Sequence, residues 1–154
     1  MTTAKPKMIV NMKLEGTCPT HSRTDISSRD LESTIDEPVA RGGTNLGFTP
    51  TETLVAALIA CTNVIFHRCA EKNGVEIKAM TVDADAQFDR RGVSLTEEIE
   101  VPFPEILLTV NLTTDADDAA IEKAKEDLKK YCPISKVVKN SGTKVTEEFI
   151  ITRP

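Results

Sequence analysis

The sequence predicts an α+β fold, with antiparallel sheets around one long, central, cysteine-bearing helix. Three observations carry this. Residues 54–61 are apolar on every helical face, and a threonine–proline start and a glycine stop bound the helix they belong to. Segments before and after that helix alternate apolar and polar residues with the period of a strand. Residues 115–131 place acids early and lysines late, as the helix dipole favours. At 154 residues the chain is read as a single domain, 1–154, large enough to bury a core without staples.

Taken in order, Met8, Val10, Met12 and Leu14 alternate in MIVNMKLEG and predict a half-buried strand. Turn residues follow in TCPTHSRTD, and ISSRDLEST reads as the returning strand. Asp36 to Phe48 is loop-like, with Pro38 and three glycines. Thr49, Pro50 and Glu52 form a capping box with a first-turn proline, so the main helix starts there and runs to Asn73, with Gly74 as its left-handed cap. Such a helix, roughly 36 Å long at about 1.5 Å per residue, is too apolar for one small sheet to cover, and a second copy is the simplest cover.

Beyond it, Met80, Val82, Ala84, Ala86 and Phe88 alternate with polar residues in a strand with one wet face. Residues 94–114 supply one or two more strands, with Ile106, Leu108, Val110 and Leu112 on the buried side. Thr114 is then read as the cap of a second helix, Cys132-Pro133 as its end and the start of a short third helix, and TKVTEEFIITRP as a closing strand.

Composition narrows the function classes. With 40% hydrophobic and 28% charged residues the chain is globular in type. A net charge of -5 argues against a nucleic-acid partner, because phosphate binding needs a basic patch. No run is read as approaching a membrane span, and MTTAKPKMIV lacks the apolar core of a signal peptide, so no membrane partner is expected. Four cysteines without a secretion signal point to a reducing cytoplasm. Two histidines and no tryptophan leave cysteine as the nucleophile to consider.

Cys61, at the end of the apolar run, is either a small core hydrophobe or a thiol placed in apolar surroundings for its chemistry. Cys132 precedes a helix-opening proline, so its sulfur should face free amides that favour a thiolate, with Lys129, Lys130 and Lys136 adding positive charge. Other signals are weaker. Cys18-Pro-Thr-His21 lacks the second pair a zinc site needs, and helical geometry keeps His67 off the side of Cys61 and Cys69. Cys69 reads as core, and the charges of residues 115–130 as a solvated face.

GFTPTETLVAALIAC resembles the central helix of the OsmC/Ohr family, the osmotically inducible and organic-hydroperoxide-resistance proteins, and YCPISK resembles that family's second cysteine motif. The element order is similar too, so the resemblance spans nearly the whole chain. It implies an intertwined homodimer with the long helices at its centre. It also implies a thiol-dependent peroxidase for organic hydroperoxides: Cys61 as nucleophile, Cys132 as resolving thiol, an arginine to stabilise the thiolate, and a glutamate to orient that arginine. No metal or organic cofactor is implied, but an external dithiol must reduce the disulfide.

One departure stands out. Where the characterised peroxidases carry glutamate directly after the helix proline, this chain has Thr51, and its glutamate is Glu52. Nine positions before Cys61, Glu52 falls near the opposite helix face and reads more simply as the capping partner of Thr49. Arg41 is the first candidate for the arginine and Arg23 the second. The departure motivates a second function, a dimeric protein binding a small apolar ligand without turnover; a thiol redox sensor is a third.

Overall fold

The computed structural model describes residues 3–154. Two compact units make it up, Met1–Thr53 and Leu54–Pro154.

In the first unit, three antiparallel strands, β1 (Glu15–Thr17), β2 (Thr24–Ser28) and β3 (Leu31–Ile35), form a meander. The segment expected as one returning strand is in fact two. Arg29 adopts a left-handed φ of 58° and turns the chain between Ser28 and Leu31, which are paired in the ladder. The strand expected over Met8 to Leu14 does not form. Pairing begins only at Glu15, and Met8, Ile9, Val10, Met12 and Leu14 are exposed. Alternation records a face that needs covering, and no ladder in this unit covers it.

The loop that leads to the long helix is organised by Asp36, which is fully buried. Its carboxylate accepts hydrogen bonds from the Ser22 hydroxyl, from the Glu37, Thr44 and Leu46 amides, and from the Thr44 hydroxyl. These donors, the Thr44 hydroxyl foremost, outweigh desolvation and hold the carboxyl far below the usual carboxylate range. Glycine is required at position 47, where a Cβ would lie 1.9 Å from the Thr34 carbonyl oxygen.

The long helix, α1 (Pro50–Lys72), starts as the capping residues dictate. The Glu52 amide donates to the Thr49 hydroxyl at 3.1 Å, and that hydroxyl faces the Glu52 carboxylate at 3.1 Å. Gly74, at φ 70°, follows the last turn. Leu58, Thr62, Phe66, Cys69 and Ala70 form its buried stripe, while Leu54 and Val64 remain exposed. By length and mean hydropathy, 1.5 over its best window, α1 is apolar enough to cross a membrane, which corrects the sequence reading that no run approaches a span. Its Leu58 and Phe66 nonetheless pack into protein cores, as in a core helix.

The second unit's sheet has the order β4 (Ala79–Ala86), β5 (Glu105–Thr113), β6 (Lys144–Thr152), with β5 central. Ile106, Leu108, Val110 and Leu112 are all buried on one face of β5. The β4–β5 pair is antiparallel, but β6 runs parallel to β5 rather than antiparallel. The reason is the connection: α2 (Asp118–Tyr131) and α3 (Pro133–Asn140) carry the chain back to the end where β5 began. Asp117, not Thr114, caps α2, its carboxylate accepting from the Ala120 amide at 2.7 Å. Thr114 is otherwise engaged, donating to the Glu76 carbonyl at 2.6 Å and accepting from the Ala116 amide. Phe66, Leu112, Ile121, Ala124, Leu128 and Cys132 belong to one buried cluster, and Leu58, Ile106, Leu108 and Val138 to another.

Candidate functional site

Cys132 is where two helices meet. Its amide still donates to the Leu128 carbonyl of α2, and its carbonyl already accepts from the Lys136 amide of α3. Pro133, with no amide hydrogen, cannot continue α2 but suits the first position of α3. One residue is therefore the C-cap of one helix and the N-cap of the next. This fixes its φ and ψ at -70° and 108° and leaves its side chain buried.

Cys61 reaches the same place from α1. Half-buried, it packs against the cluster that contains Cys132, and the two sulfurs lie 3.3 Å apart with the Cys132 thiol donating to Cys61 Sγ. Both are free thiols. The sequence motifs that lie far apart in the chain thus converge on one spot.

The proton balance of this pair differs from the sequence expectation. The Ser135 and Ile134 amides at the start of α3 do favour the thiolate, although the Cys132 side chain makes no cap hydrogen bond. Burial outweighs them, Cys61 adds to the effect, and the Cys132 thiol is pushed up to about 11. Lys129, Lys130 and Lys136 are solvent-exposed, so their charge is screened by water rather than focused on the sulfur. Cys132 therefore keeps its proton and donates it to Cys61 Sγ.

The other candidates are held locally. Arg41 donates from Nε to Glu37 at 2.9 Å and is largely exposed. Arg23 makes a two-pronged contact with Asp25, at 2.9 and 3.0 Å, which draws the Asp25 carboxyl below its ordinary value. Glu52 is engaged with Thr49 in the helix cap. Cys18 is exposed, and Cys69 is buried, its thiol pushed up by burial and by Asp127. Among the described residues no cluster of His, Cys, Asp and Glu is placed to hold a metal ion.

A shallow groove of about 310 Å³ is lined by Ile65, Arg68, Cys69 and Lys72 of α1 with Asp127 and Tyr131 of α2. Ile65 lies one helical turn after Cys61, and Tyr131 directly precedes Cys132, so the groove flanks the pair.

Several solved structures share this fold. An OsmC-like protein from Mycoplasma pneumoniae superposes with a TM-score of 0.75 at 16% identity, covering 95% of this chain and 99% of that one. An organic hydroperoxide resistance protein from Elizabethkingia anophelis gives 0.65 at 17% identity, over 97% and 100% of the two chains. The organic hydroperoxide resistance protein OhrB of Bacillus subtilis gives 0.60 at 21% identity, over 92% and 98%. No curated protein matches the chain by sequence. The family described as OsmC-like protein matches residues 43–148, a span that includes both cysteines and the helix that carries the first. With that span covering most of its length, the chain belongs to the OsmC-like family.

Proposed function

We propose that the protein is a cysteine-based peroxidase that reduces organic hydroperoxides in oxidative-stress defence and works as a homodimer in a reducing cytoplasm. The observation that carries this is the 3.3 Å approach of a buried, proton-holding Cys132 to Cys61. Structural likeness to organic hydroperoxide resistance proteins supports it.

The chemistry follows from the asymmetry of the pair. The Cys61 thiolate attacks one peroxide oxygen, the O–O bond breaks, and the departing alkoxide takes a proton to leave as the alcohol. Cys61 becomes a sulfenic acid. Cys132 gives up its proton, attacks Cys61 Sγ and displaces hydroxide, which leaves with that proton as water. The S–S separation closes from 3.3 Å to the about 2.05 Å of a covalent bond. An external dithiol returns both residues to thiols. The family resemblance names Arg41 for the guanidinium and Glu52 for its orienting carboxylate; in this chain Arg41 is held by Glu37 and Glu52 by Thr49.

In a stopped-flow assay with cumene hydroperoxide and a dithiol, the wild type should consume peroxide and Cys61→Ser should lose at least about a thousandfold in rate. Equal rates would end the proposal. A second reading has an observation in its favour: Glu52 is occupied in the helix cap. On that reading the protein binds a small apolar ligand beside Cys61 without turnover. A co-purified ligand in native mass spectrometry, together with no peroxide consumption, would select it.

A further inference from the structure

The sulfurs of Cys61 and Cys132 are free thiols 3.3 Å apart, and that separation discriminates among the soft centres that thiols bind. A tetrahedral zinc, with bonds of about 2.3 Å, spreads two sulfurs to about 3.8 Å and takes four ligands. A linear two-coordinate ion such as mercury(II) sets its sulfurs on opposite sides, at twice the bond length. Trivalent arsenic is pyramidal. Two arsenic–sulfur bonds, each a little longer than the roughly 2.05 Å of a disulfide and meeting at about a right angle, hold their sulfurs about 3 Å apart. The reduced pair has nearly that span before anything binds.

Ligand number narrows the choice. Among the described residues no group of three or more His, Cys, Asp and Glu side chains is placed to hold a metal ion, so the pair offers two sulfurs. Inorganic arsenite fills its shell with three. A monosubstituted trivalent arsenical, R–As(OH)2, keeps its bond to carbon and needs only two. The surroundings suit the product as well. Cys132 is fully buried in a cluster with Phe66, Ile121 and Leu128, and the half-buried Cys61 packs against that cluster. Burial penalises a thiolate or a charged metal dithiolate, but arsenic bonded to two sulfurs and one carbon carries no charge to desolvate. The exposed part of Cys61 is the entry. The groove of about 310 Å³ that flanks the pair offers the organic group the Ile65 side chain and the Tyr131 ring.

We propose that Cys61 and Cys132 form a capture site for monosubstituted trivalent arsenicals, a role independent of any reaction with peroxide. Cys61 Sγ bonds to arsenic first, and one arsenic hydroxyl leaves with the thiol proton as water. Cys132 Sγ bonds second, and the other hydroxyl leaves with its proton in the same way. Two S–H and two As–O bonds break, and two As–S and two O–H bonds form. Arsenic stays trivalent and no electrons are transferred.

Phenylarsine oxide, which hydrates to the dihydroxy form in water, is the probe, added in one equivalent to the reduced chain without peroxide. Native mass spectrometry should show one phenylarsenic per chain in place of two protons. Iodoacetamide mapping of the wild type should find Cys61 and Cys132 protected while the exposed Cys18 still alkylates. Loss of one anchor, in Cys61→Ser or Cys132→Ser, should weaken binding at least about a hundredfold, and Cys18→Ser should leave it unchanged. Dimercaprol, a dithiol, should strip the adduct, whereas mercaptoethanol at the same thiol concentration should not. Inorganic arsenite should bind more weakly, with one valence left without sulfur. An adduct on Cys18 or Cys69, wild-type affinity in Cys132→Ser, removal by mercaptoethanol or equal affinity for arsenite would each overturn the proposal. The wild-type protection map decides even where a serine variant does not fold. Capture by a protein that consumes no hydroperoxide would leave this site standing and sink the peroxidase alone. Peroxide consumption without capture would do the reverse.

Discussion

At the scale of single residues, the two cysteines are chemically unequal although they touch. Cys132 is buried and holds its proton, and Cys61 receives the hydrogen bond. Replacing Cys132 by serine should therefore leave the first peroxide turnover near the wild-type rate and leave a sulfenic acid on Cys61. Dimedone labelling followed by mass spectrometry should find that adduct in Cys132→Ser and little of it in the wild type. Steady-state turnover with a dithiol should fall about tenfold or more. Closure of the disulfide should accelerate as pH rises, since the thiolate fraction of Cys132 grows up to about 11. Stability runs the other way. The folded state holds this proton more tightly than the unfolded chain, whose thiol titrates near 9, so this contribution is present below pH 9 and is lost as pH rises through 11. The identity of the pair was legible in the sequence, because an apolar helix and a Cys-Pro junction are local patterns. The balance between amides and burial was not. Burial depends on Leu128 and Ile121 from α2 and Phe66 from α1, and none of these is a neighbour of Cys132 in the motif.

Among the elements, α1 was the most readable, because its signals are covalently adjacent: Thr49, Pro50 and Glu52 at one end and Gly74 at the other. Thr49→Ala should destabilise the protein by about 1 kcal/mol, the usual effect of losing an N-cap hydroxyl, measured by chemical denaturation. Phe66→Ala should destabilise it by about 3–5 kcal/mol, because Phe66 is fully buried and stacks obliquely on Phe149 at 5.1 Å. If the two effects came out equal, the assignment of Phe66 to the core would be wrong. The segment Met8 to Leu14 shows why the strands were harder. Alternation marks which residues want cover but carries no information on where the partner strand lies. The parallel β5–β6 pair was hidden for a related reason, since strand direction is set by the length and path of the helical connection.

At the scale of the whole molecule, the exposed apolar residues point to a second copy. Leu54 and Val64 are 40% and 48% exposed on a helix that is otherwise rich in apolar side chains, and the N-terminal segment adds Met8, Ile9, Val10 and Met12. We assign these surfaces to the proposed homodimer, whose interface should exceed about 2,000 Å², the size range of obligate dimers. Sedimentation at micromolar concentration should give twice the 16.8 kDa chain mass, and Val64→Glu should shift the distribution towards monomer. A monomeric wild type would refute the assignment.

The meeting of Cys61 and Cys132 has one more effect, and it concerns chain topology. A covalent bond between them turns residues 61–132 into a ring that encloses β4, β5 and α2, with β6 threading back to the ring's central strand from outside. A ring of that size removes about 4 kcal/mol of conformational freedom from the unfolded chain. Each oxidation would thus pull the protein away from unfolding, and each reduction would loosen it again. The same bond that records a consumed peroxide would also guard the fold while oxidant is present.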